Sequence, residues 1–143
     1  MLELEHSINI AAPVDEVYRF VTDPQNATKW RIGLIEAKQV SPGDMGVGSK
    51  IEEKVRVLGR ELTSKLEITD YVPNKKRSFR IQLGPLPIVL HESYQSTPEG
   101  TQLQVTGTTE LKGPQRMLAA PVLGQVKRQL EQELANIKAH FSA

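Results

Sequence analysis

The chain has 143 residues, no cysteine, and 18 Lys and Arg against 17 Asp and Glu, for a formal net charge of +1. A chain of ~150 residues buries roughly 70% of its unfolded surface, so one core without covalent staples is feasible and a single domain over 1–143 is expected. Disulfides and thiolate metal sites are excluded. The balanced charge argues against nucleic acid as a partner, and no run reaches the ~20 apolar residues of a membrane span. The start MLELEH lacks a basic-then-apolar leader, so a soluble, cytoplasmic protein is expected.

Residues 2–10 alternate, with Leu2, Leu4, Ile8 and Ile10 opposite Glu3, Glu5, Ser7 and Asn9, which predicts a half-buried strand. The period changes at Ala12. Pro13 suits a first helical position, Asp15 and Glu16 suit the positive end of a helix, and Val14, Val17, Tyr18 and Val21 follow helical spacing. Asp23 and Pro24 start a second short helix that carries Trp30 and ends near Gly33.

From Ile35 to Leu111 the period is two, broken every 10 to 15 residues by turn chemistry at 41–48, Gly59, Pro73 and Asn74, 84–87 and 97–100. Six strands fit. The spacing leaves no room for crossover helices, so hairpins and an antiparallel sheet of seven strands follow. Leu123, Val126, Leu130, Leu134, Ile137 and Phe141 then recur at three and four residues, predicting a long amphipathic helix. Pro121 disfavours a helix interior, so the main helix is expected to start there, after a turn at 116–119.

This order resembles the START-like or Bet v 1-like (SRPBCC) superfamily, and its polyketide cyclase/dehydrase-like branch in particular. The resemblance rests on APVDEVYRFVTDPQNATKW, with Ile10, Ala12 and Pro13 at its approach, Val17 with Phe20, Asp23 with Pro24, and Trp30; Gly48, Gly59 and Gly100 with Thr101 sit at strand ends. It implies an α+β helix-grip fold, a curved seven-stranded sheet wrapped around the C-terminal helix and enclosing an apolar ligand cavity. It supplies no shared catalytic residue.

Sorting each strand by parity puts mostly ordinary core residues on the face toward the helix, including Ile35, Ala37 and Gln39 in the second strand. His6, Glu53, Glu92 and Tyr94 are the exceptions, since a buried carboxylate or imidazole must be paired or neutralised. Glu92 or Glu53 can serve as a general acid or base with Tyr94 or His6 as partner. The structural alternative is that such a carboxylate reaches water or pairs with an arginine such as Arg80. Lys75, Lys76 and Arg77 read as a solvated basic hairpin tip. The three histidines are far apart in sequence, the glycines at 43, 46 and 48 lack dinucleotide-loop spacing, and no nucleophile elbow occurs, so neither metal nor cofactor is expected.

Hairpins alternate between the two ends of a sheet. The turns at 41–48, 72–75 and 96–100 are mostly polar, whereas those at 57–60, 83–87 and 112–116 carry Leu58, Leu83 and Leu86 and meet Met117. Apolar tips at one end read as a portal, as simple closure of the core, or as an interface of a homodimer. The side chains expected to face a guest are Trp30, Glu53, Val55, Leu58, Ser64, Phe79, Ile81, Leu83, Leu86, Leu90, Met117, Val122, Val126 and Leu130. The expected function is binding or transport of a small hydrophobic molecule; the alternative is a cyclase or dehydratase using Glu92, Tyr94 and His6.

Overall fold

The computed structural model describes residues 2–111 and 113–142. Strand β1 (Leu2–Ile10) leads to helix α1 (Val14–Thr22), a 3-10 turn (Pro24–Asn26), helix α2 (Ala27–Trp30) and strand β2 (Leu34–Gln39). Strands β3 (Lys50–Val57), β4 (Arg60–Val72), β5 (Lys76–Leu83), β6 (Leu86–Thr97) and β7 (Gly100–Thr109) follow, and helix α3 (Pro114–Ser142) closes the chain. The seven strands form one antiparallel sheet in the order β1-β7-β6-β5-β4-β3-β2, the topology that short turns impose. Helix α3 lies against its inner face from β1 to β3. This is the helix-grip α+β fold.

Local chemistry accounts for most boundaries. Asp23 accepts a hydrogen bond from the Gln25 amide at 2.9 Å and caps the 3-10 turn. Pro13 stands at the N-cap of α1, one residue before the expected position. Gly33, at φ +75°, starts β2: its carbonyl accepts from the Arg56 amide at 2.7 Å, and a Cβ here would lie 2.6 Å from the Arg56 carbonyl oxygen.

Two expectations are corrected. Helix α3 does not begin at Pro121; it spans 29 residues, about 44 Å, with Pro121 inside it. The proline withdraws only the amide that would reach the Met117 carbonyl, and Met117 is 80% exposed, so water can serve that carbonyl. In β2, a register shift between Leu34 and Glu36 puts Leu34 opposite Val55 and leaves Ile35 outside the inward row, 46% exposed. A second shift, between Ile68 and Asp70 in β4, turns Tyr71 to face Arg77 across β5. The side chain of Leu2 and all of Lys112, in the expected 112–116 connection, lie outside the described residues.

The buried apolar side chains fall into two groups. One joins α1 and the C-terminal half of α3 to β1, β6 and β7 through Ile10, Val17, Phe20, Leu103, Val105, Leu134 and Ile137. The other joins the N-terminal half of α3 to the opposite part of the sheet through Val55, Val57, Leu83, Leu86, Ile88 and Ala119. A continuous core would merge them; here space separates them.

Candidate ligand-binding site

That space is a cavity of about 510 Å³ between the sheet and α3. Its walls take Leu103, Val105, Leu134 and Ile137 from one apolar group and Val55, Val57, Leu83 and Ile88 from the other, with Phe79, Ile81, Leu90, Val126 and Leu130 between. Such a volume falls in the range of small-molecule pockets, ~300–1,000 Å³. All of its exposed lining residues lie between positions 24 and 39: Pro24 and Thr28 on one side, Ile35, Glu36, Ala37, Lys38 and Gln39 on the other. The mouth therefore opens between the Pro24–Trp30 segment and edge strand β2, beside Met45.

Two sets of charged groups interrupt the apolar wall. In the first, Arg77 holds Glu92 in a bidentate pair, Nε to Oε1 at 2.9 Å and Nη2 to Oε2 at 3.1 Å, and the Tyr94 hydroxyl donates to Oε1 at 3.0 Å. Burial alone would lower the Arg77 pKa, but the charge and hydrogen bond of Glu92, joined by Tyr94 and Tyr18, together outweigh it and hold the guanidinium charged. Burial, and then the neighbouring carboxylate, push the Tyr94 phenol well above its ordinary range. Tyr18 stacks edge-on against Tyr94 at 4.9 Å; its hydroxyl is buried without a hydrogen-bond partner among the described residues.

In the second set, Arg31 donates through both Nη atoms to Glu53 at 3.1 Å and through Nε to Glu133 Oε2 at 3.3 Å. The Ile32 amide also donates to Glu133 Oε2, at 2.8 Å. Burial pushes the Glu133 carboxyl above its ordinary value in spite of Arg31. Ser64 faces Glu53 across the β3–β4 ladder and also lines the cavity.

The family described as polyketide cyclase / dehydrase and lipid transport matches residues 1–142. The chain belongs to that family, within the SRPBCC or Bet v 1-like superfamily. Among solved structures, the ZhuI aromatase/cyclase from Streptomyces sp. R1128 superposes with a TM-score of 0.81 at 16% identity, covering 99% of this chain and 93% of that one. Ara h 8.0201 gives 0.76 at 14% identity, covering 98% and 97%. An Aha1 from Colwellia psychrerythraea, solved in solution as a dimer, gives 0.69 at 18%, covering 99% and 96%. At these identities the likeness is one of fold. No curated protein matches the chain.

Within this member of the polyketide cyclase / dehydrase and lipid transport family, eleven of the residues singled out from sequence line the cavity: Trp30, Glu53, Val55, Ser64, Phe79, Ile81, Leu83, Leu90, Glu92, Val126 and Leu130. Tyr94 touches Glu92 from behind the wall. Leu86 and Val122 belong to the apolar group under the N-terminal half of α3. Leu58 and Met117 are 51% and 80% exposed and do not line the cavity, so the apolar hairpin end is not its mouth. His6 stands opposite Val105, and Glu92 opposite the same Val105 from the other side, which puts two interstrand spacings, about 10 Å, between their backbones. His91 faces away and meets Ser78 Oγ at 2.8 Å. Among the described residues, no three His, Asp or Glu side chains converge as metal ligands, and no helix is long and apolar enough to cross a membrane.

Arg31, Arg77 and Glu133 are among the polar cavity residues that the sequence alone did not single out. Arg77 is not a solvated tip residue: its side chain is 12% exposed, while Lys75 and Lys76 remain exposed. It shares parity with Phe79, Ile81 and Leu83, the signal that could have placed it. Arg80, the partner suggested for the inward carboxylates, lies on the outer face with Glu67.

Proposed function

We propose that the chain binds and carries a small hydrophobic ligand inside this cavity. The observation that supports it is the split core: two apolar groups with about 510 Å³ of unfilled, largely apolar space between them and an opening beside β2. Empty apolar space costs stability, and a guest of fitting shape recovers the lost contacts. At roughly 30 Å³ per water-sized group, the space takes about 17 heavy atoms; at ~0.3 kcal/mol per atom these give about 5 kcal/mol, a Kd near 0.2 mM. Apolar filling alone makes a weak carrier, so useful affinity needs a polar contact as well.

The second reading is acid–base catalysis at Glu92, favoured by its place on the wall with the Tyr94 hydroxyl 3.0 Å away. What weighs against it is saturation. Both Glu92 oxygens are taken by Arg77, so neither is free to act on a guest, and His6 is a full strand removed. Native mass spectrometry with a panel of apolar small molecules tests the binding reading: one guest per chain is expected, and no bound species across the panel overturns it. Glu92→Gln should leave that binding within about threefold.

A further inference from the structure

The two charged sets differ in what they leave unsatisfied. Glu92 is neutralised one-to-one by Arg77, and each of its oxygens has a donor. Arg31 instead serves two carboxylates, so its set carries a formal charge of −1. Both donors to Glu133, Arg31 Nε and the Ile32 amide, fall on Oε2, and Oε1 has no partner among the described residues. Ser64, a 4% exposed residue, has no side-chain hydrogen bond among the described residues, and the buried indole N–H of Trp30, a donor, is unpartnered among them as well. Glu133, Ser64 and Trp30 all line the cavity. Polar atoms left without a partner on a cavity wall mark where a guest's polar group belongs: Glu133 Oε1 calls for a donor, the Ser64 hydroxyl takes either role, and the Trp30 N–H can pair only with an acceptor such as a guest's hydroxyl oxygen.

We propose that the cavity selects amphipathic guests whose polar end is a hydrogen-bond donor, a primary ammonium best and a hydroxyl next, seated on Glu133 Oε1 and Ser64, and that it rejects carboxylates. This rests on the ligand-binding reading above. Glu53 stands opposite Ala37 at the exposed inner face of β2, so the charged set lies by the mouth. The guest's tail then runs inward over Phe79 and Leu90, and the head stays near the opening. An ammonium restores neutrality to the set; a carboxylate would add a second uncompensated negative charge in a desolvated place. Burial first, and the Glu53 charge last, raise the affinity of Glu133 for its proton, a cost that an ammonium seated there would offset.

The test uses the single tryptophan, which lines the cavity and reports on occupancy. Dodecylammonium, dodecanol and dodecanoate, each below its aggregation threshold, are titrated at pH 7 while Trp30 emission is followed. A charge-assisted hydrogen bond strengthens binding by roughly ten- to hundredfold. Dodecylammonium should therefore bind at least tenfold more tightly than dodecanoate, with dodecanol between. Glu133→Gln should bring amine and carboxylate within threefold of each other; Ser64→Ala should weaken dodecanol. If dodecanoate binds as well as the amine, or Glu133→Gln leaves the preference unchanged, the inference is overturned and cavity binding stands. If none of the three binds, the ligand-binding reading fails as well. The wild-type comparison decides the selectivity even where a variant does not fold.

Discussion

Replacing Arg77 with Met keeps the length and apolar stem of the side chain and removes the charge, leaving Glu92 ionised on the cavity wall with only the Tyr94 hydroxyl as donor. The pair is 12% and 8% exposed and bidentate, the situation in which loss of one partner costs about 3–5 kcal/mol. Tyr94 keeps one donor in place, so the lower end, about 3 kcal/mol, is expected. For a chain of this size that corresponds to a fall in Tm of roughly 10 °C. Adding Glu92→Leu to Arg77→Met should restore most of the loss, because no unpaired charge remains. Chemical denaturation at pH 7 measures both quantities. A loss below 1 kcal/mol for Arg77→Met, or no rescue in the double variant, would refute the view that Glu92 is held as a structural ion pair.

Three further outcomes follow from other parts of the molecule. Ala37 is exposed at the mouth on an edge strand, so Ala37→Trp should change stability by less than about 0.5 kcal/mol yet slow ligand uptake at least tenfold in stopped-flow fluorescence; unchanged uptake would place the mouth elsewhere. Tyr18 and Tyr94 have phenols raised above the ordinary 10.0, so their protons are held in the fold and released on unfolding. Stability should thus be lost as pH rises above about 10, by ~1.4 kcal/mol per pH unit for each tyrosine; Tyr18→Phe should remove about half of that slope and, by deleting an unpaired hydroxyl, should not destabilise at pH 7. Leu58 has φ +52° at the β3–β4 turn and is 51% exposed, so Leu58→Asn should stabilise by about 1 kcal/mol in thermal unfolding, and a loss of stability would show that its side chain is held by contacts.

The sheet and its lining were legible because period-two alternation maps directly onto a face, and Glu53, Ser64, Phe79 and Leu90 could be placed by counting. Counting failed where a bulge adds a residue: Ile35 lost its inward position, and Tyr71 gained one after Ile68. Arg77 was hidden by its neighbours Lys75 and Lys76, although its parity with Phe79 was visible. Glu133 looked like part of a polar helix face, yet it lies three residues after Leu130 and seven after Val126, on the stripe that meets the sheet. Arg31 sits just after α2, where neither period applies, and only the tertiary fold brings it to two carboxylates. The position of the mouth was illegible for a related reason. Apolar residues at hairpin tips mark exposure, whereas the opening depends on where the Pro24–Trp30 segment stops short of β2.

The central claim is that a guest sits inside, between sheet and helix. Isothermal titration of dodecylammonium or dodecanol into the wild type and Leu90→Trp, at two or more temperatures, tests it most directly. Leu90 lines the cavity, so an indole there fills space a guest needs. The account predicts one site per chain with a negative ΔCp in the wild type and binding weakened at least tenfold in Leu90→Trp; equal binding by both proteins, or none by either, would contradict it.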